Sequence, residues 1–157
     1  MWEDDDEDEM SNEEFRKQLD AKRKRIEALP VMIIAHEIKR LTDNIVGLID
    51  GEKDELMTCR FMREDAYLIA PKIAGAEGGG LYHLRMENAV IIKKAALSLL
   101  ASTSMAKAEG LVEPHYLQLL RDEIEKFRLA FLDWINSFDK QNNIDDGWGI
   151  FIEDAPK

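Results

Sequence analysis

Residues 114–138, PHYLQLLRDEIEKFRLAFLDWINSF, decide the fold. Within them Leu117, Leu120, Ile124, Phe127, Phe131, Trp134 and Phe138 follow one another at steps of three and four, so one helical face is held for three heptads. Pro114 suits the first turn of a helix, where its missing N–H has no intrahelical partner to lose. Leu119, Leu129, Leu132 and Ile135 widen the apolar face beyond a two-stranded seam, and the stretch therefore predicts a core helix of a bundle.

The same beat recurs upstream. A helix from about Leu81 to Lys107 is predicted to turn Leu84, Asn88, Ile91, Ala95 and Leu99 inward and to stop at Gly110. Before it, a helix from about Lys53 to Ile73 presents Leu56, Cys59, Met62, Ala66, Ile69 and Ile73, with Pro71 expected to kink or fray its last turn. Gly75 and Gly78 to Gly80 then break the chain. A further helix from Pro30 to Ile49 carries Ile34, Ile38, Leu41, Ile45 and Leu48, with Gly51 as its stop. The first helix opens at Ser11, where Ser11 and Glu14 have capping-box spacing, and ends near Leu29 because Pro30 cannot continue it. Phe15, Leu19, Ile26 and Leu29 share its stripe. The expected class is all-α: a bundle of about four long helices plus an N-terminal helix, with up-and-down connections.

Residues 3–9 are all acidic, and such a run repels itself, so residues 1–10 are expected to form a disordered tail ahead of a single domain over 11–142. Residues 143–157 hold Ile144, Trp148, Ile150, Phe151 and Ile152 among glycines and acids. Leaving such side chains in water forgoes about 1.5–3 kcal/mol each, so the segment is expected to pack across the bundle or a partner subunit.

A net charge of −11 repels phosphate backbones and anionic membranes at long range, which argues against nucleic-acid partners. The longest apolar stretch, Leu29 to Ala35, is far short of a membrane span, and no basic, apolar leader opens the chain. The single cysteine, Cys59, suits a reducing compartment, and a cytoplasmic location is expected. Helix 1 is locally basic through Arg16, Lys17, Lys22, Arg23, Lys24 and Arg25, but without interleaved aromatics to stack on bases; the acidic tail before it is positioned to mask these charges.

Catalytic motifs fail on spacing. Carboxylate-bridged metal bundles need Glu-x-x-His pairs, but Ile33, Gly80 and Val112 stand three before His36, His83 and His115. Glu52 and Glu55 make one carboxylate pair without a matching second. No arginine precedes a histidine by four to six residues, as helical ribonucleases require, and residues 75–80 lack the Lys and Ser or Thr of a phosphate loop. No cofactor is implied.

Two candidate sites remain. Arg60, Arg63, Glu64 and Asp65 crowd one helix, and His83, Arg85, Glu87 and Asn88 crowd the start of the next. If the glycine turn brings these ends together, Arg60, Arg63 and Arg85 are a cradle for a small anion; otherwise the group is a polar network in which Arg63 or Glu64 satisfies Asn88. The second site is His36. The run 35–42, AHEIKRLT, followed by 45–48, IVGL, resembles the phosphoacceptor box of sensor histidine kinases over about fifteen residues, with Arg40-Leu41 where that family has Asn-Pro. The resemblance implies an exposed phosphoacceptor at His36, polarised by Glu37. Length leaves no room for a kinase domain. The leading expectation is thus a non-catalytic interaction, regulatory or scaffold module, expected to be a homodimer because its apolar faces exceed what one small bundle covers.

Overall fold

The structure is a computed structural model describing residues 11–153; the acidic run of the tail falls outside them. Five α-helices follow one another: α1 (Asn12–Glu27), α2 (Pro30–Leu48), α3 (Thr58–Glu77), α4 (Tyr82–Ala108) and α5 (Pro114–Asn136), with a 3-10 turn at Gly51–Lys53. No strand occurs among the described residues. Helices α2 to α5 form an up-and-down bundle in which α3 and α4 pack most closely, α2 lies against α3 and α5, and α1 touches only one end.

Helix ends follow local chemistry. Ser11 caps α1 reciprocally, its Oγ accepting from the Glu14 amide at 3.2 Å while its own amide donates to the Glu14 carboxylate at 3.3 Å. Pro30 and Pro114 occupy first turns. Gly110 takes φ +66° after α4, and its amide and that of Leu111 bond back to Lys107 and Ala106, closing the helix as only a left-handed residue permits.

The core is one contiguous set. The seven residues of the α5 beat, Leu117 to Phe138, are all buried, as expected from their spacing. The α3 stripe also holds, with Met62, Ala66, Ile69 and Ile73 buried and Cys59 half-buried, while those of α2 and α4 are partly displaced. On α2 the inner line is Ala35, Ile38, Thr42 and Ile45, rotated by about one position, which leaves Leu48 exposed and Ile34 and Leu41 half-buried. On α4 it is Ala89, Ile92, Ala95, Leu99, Thr103 and Ala106, and the expected Leu84 and Ile91 face solvent. Small residues explain the rotation: Ala35, Ala89 and Ala106 let helices approach closely, and a count of large side chains overlooks them.

Helix α3 begins at Thr58 rather than Lys53, because Asp54 accepts from the amides of Thr58 and Cys59 at 2.8 and 2.9 Å and so fixes its first turn; Leu56 lies before the helix and is exposed. Its end is also corrected, since the helix runs on through Pro71 to Glu77. Pro71 lies on the exposed face, where water takes the place of the donor it lacks. Helix α4 is the one described helix long and apolar enough to cross a bilayer by length and composition, and its inner line is spent on the bundle core.

The C-terminal segment is tied to the bundle by polar contacts. The Tyr82 amide donates to the Asn142 carbonyl at 2.8 Å, Asn142 Nδ2 to the Gly80 carbonyl at 3.0 Å, and the His83 amide to Asn143 Oδ1 at 3.1 Å. A Cβ on Gly80 would stand 2.5 Å from Asn142 Nδ2, so a larger residue there would push the Asn142 amide out of this contact. Phe151 and Ile152 are half-buried, whereas Ile144, Trp148 and Ile150 stay exposed in the single chain.

Candidate functional site

The polar residues singled out from sequence separate into two groups. Arg60 and Arg63 precede Glu77 on α3 by 17 and 14 positions, about 26 and 21 Å along the axis, and Arg85 bonds to Glu77. The glycine turn joins the far end of α3 to α4, so the three arginines do not converge. Each is engaged separately. Arg60 Nε donates to Glu64 at 2.8 Å on the surface, and Arg63 Nε stands 3.5 Å from Asp43 of α2, whose other oxygen accepts from Tyr67 Oη at 2.8 Å. Lys39 covers the Tyr67 ring, and Asp43 holds the Tyr67 phenol above its usual range.

Asn88 is half-buried and donates to the Leu84 carbonyl of its own helix at 3.0 Å, so neither Arg63 nor Glu64 serves it. Its Oδ1 lies 3.7 Å from where a Gly75 Cβ would sit, which places this amide between α3 and α4. Glu87 is half-buried on α4. Asp65 meets Ser98 of α4, and burial raises its carboxyl above the usual range.

The network that does form centres on Glu77, which the sequence reading did not single out. Its side chain is 8% exposed; Oε1 accepts from Arg85 Nη2 at 2.6 Å and from Trp134 Nε1 at 2.7 Å, and Oε2 from Arg25 Nη1 at 3.1 Å. The Arg85 guanidinium lies 3.9 Å from the centroid of the Phe138 ring. Helices α1, α3, α4 and α5 thus meet on one carboxylate. At the C-terminus of α3 the helix dipole opposes a negative charge, and two arginines offset both that and the loss of water. A signal was present in Trp134: an indole on a core stripe needs an acceptor, and Glu77 is the acid that falls one turn after Ile73.

His36 is exposed, as the resemblance implied, but Glu37 does not polarise it. Glu37 pairs with Arg40, and His36 Nε2 stands 2.7 Å from Oε2 of Glu27, at the end of α1. His83 is buried, with Nδ1 2.6 Å from Asn143 Oδ1 and Nε2 3.6 Å from Asp146 Oδ2. The basic strip of α1 is largely engaged within the chain: Lys17 with Glu13, Arg23 with Asp20, Arg25 with Glu77, and Lys22 on the Gly78 carbonyl.

Cys59 is half-buried at the start of α3. Burial, and after it the Asp54 carboxylate, push its thiol up to about 11 from 9.0. At pH 8 this lowers the thiolate fraction about 100-fold, so maleimide or disulfide reagents are expected to label native protein on the order of 100 times more slowly than an unfolded sample.

One concave surface is apolar. A groove of about 520 Å³ runs between α4 and α5, floored by Ala96, Leu97, Leu100, Phe127, Phe131 and Leu132, and all its lining comes from those two helices. Leu97 is 53% exposed there and Leu132 39%. Among the described residues no group of His, Cys, Asp and Glu is gathered closely enough to hold a metal ion. Comparison with protein-family models, curated proteins and solved structures finds no match to this chain.

Proposed function

We propose that this chain is a non-catalytic interaction module, a scaffold or regulator that acts by binding and works as a homodimer. The observation that supports the reading is the open α4/α5 groove, because an apolar channel left in water by its own fold gains from any complementary face. A second copy is the partner present at the chain's own concentration. Net charge does not oppose this strongly: taking the seven acids of residues 3–9 from −11 leaves −4 for the remainder. A cytoplasmic, reducing location suits the free thiol of Cys59.

Sedimentation equilibrium checks the reading. Dimer is expected at micromolar concentration, and Leu97→Glu, at an exposed position, is expected to weaken it without loss of helicity. A wild-type monomer up to about 100 µM overturns it.

Phosphotransfer through His36 is the second reading, favoured by the short contact with Glu27. A proton on Nε2 shared with that carboxylate leaves the Nδ1 lone pair exposed as a nucleophile. Incubation with phosphoramidate is then expected to give one acid-labile phosphate, absent from His36→Gln; no phosphate on the wild type overturns this reading.

A further inference from the structure

We propose that the free half of α1 from one copy lies in the α4/α5 groove of the other, and reciprocally, so that each copy gives a helix and receives one. This rests on the homodimer reading and names its interface.

Helix α1 meets its own bundle only through its second half, where Lys22 reaches Gly78, Arg25 reaches Glu77 and Ile26 is buried. The apolar line does not stop there. Phe15 and Leu19, one turn apart on the line of Ile26, are 49% and 50% exposed and lie outside the buried core formed by the described residues. An amphipathic helix whose apolar line runs on into solvent is the counterpart of an apolar groove between two helices.

Size and charge fit. The free half, residues 12–21, is about 15 Å long, and the groove follows α5 from Gln118 to Leu132, about 21 Å. Ala96 on the α4 wall leaves room for a large side chain between Lys93 and Leu100. At 100° per residue, Arg16 falls on one flank of the Phe15–Leu19 line and Glu14 on the other. The α5 wall carries Asp122, and the α4 wall carries Lys93, so one orientation sets basic against acidic on both sides. The two remaining cations of the groove are turned to other work: Arg128 pairs with Glu125 at 2.6 Å, and Arg121 donates to Thr103 Oγ1 at 2.8 Å.

The same copy cannot fill its own groove while Lys22, Arg25 and Ile26 hold α1 at the bundle end. Exchange between two copies keeps those contacts, repeats the interface twice about a two-fold axis and closes the assembly at two.

The test uses full-length chains in a Cys59→Ser background, one copy carrying Leu19→Cys and a differently tagged copy carrying Leu97→Cys. Under mild oxidation a disulfide between the two tags is expected, and a much weaker one when the second copy carries Leu119→Cys, an exposed α5 position outside the groove. Leu19→Glu is expected to raise the dimer dissociation constant at least ten-fold, with Leu119→Glu unchanged. A wild-type monomer overturns both this interface and the reading beneath it. A wild-type dimer that Leu19→Glu leaves intact, or that links 19 to 119 as readily as 19 to 97, overturns the exchange alone.

Discussion

Glu77→Ala is expected to cost about 3–5 kcal/mol and to lower the melting temperature by roughly 10 °C, the largest loss of any polar substitution in this chain. The carboxylate is the sole acceptor shown for the Trp134 indole and the direct partner of Arg85, whose side chain is only 17% exposed. Removing it leaves an indole N–H and a guanidinium facing each other in a nearly dry junction, and Arg85 Nε is already without a hydrogen-bond partner there. Glu77→Gln separates charge from shape. It keeps an amide oxygen for Trp134 and Arg85 but loses the charge and turns a donor toward Arg25, so its cost is expected to lie between wild type and alanine. Urea unfolding followed by circular dichroism, together with Trp fluorescence, measures both; equal stability of all three proteins would mean that water replaces the carboxylate at no cost.

The position of Glu77 shows which parts of this molecule the sequence discloses. Helix existence was legible because it depends on neighbours three and four positions away, and α5 was legible to the residue because its inner line is made of large side chains only. On α2 and α4 the inner line includes Ala35, Thr42, Ala89, Thr103 and Ala106, which periodicity of large residues does not weigh, so Ile38, Ile45, Ala95 and Leu99 lie inward as expected while Leu48, Leu84 and Ile91 do not. Pro71 was expected to kink or fray the last turn of α3 near Ile73, but a missing donor on a wet face is cheap and the helix runs on to Glu77. The polar cluster failed for a different reason. Arg60, Arg63 and Arg85 are near in composition, but the turn that joins α3 to α4 joins only their adjacent ends, and which acid each arginine meets depends on lateral packing between helices distant in sequence. Glu77 meets Arg25 across 52 positions and Trp134 across 57, and no local pattern carries that information.

Phe127→Ala is expected to cost about 3–5 kcal/mol in equilibrium unfolding, whereas Phe15→Ala is expected to change the stability of dilute, monomeric protein by no more than about 0.5 kcal/mol. Both rings sit on helical stripes of the same spacing, so the contrast isolates what periodicity leaves out. Phe127 is 2% exposed and stacks on Phe131 at 5.9 Å; truncating it opens a cavity that α5 cannot close without moving Leu120 and Ile124. Phe15 is half in water, so truncating it forgoes little that folding had gained. Concentration then gives the second coordinate. If α1 enters the groove of a second copy, the cost of Phe15→Ala must rise with protein concentration from near zero, because only the dimer buries that ring, whereas most of the cost of Phe127→Ala is already present in the monomer. A Phe15→Ala penalty that is large at high dilution would place the ring in the chain's own core, and one that never grows would leave α1 without a partner.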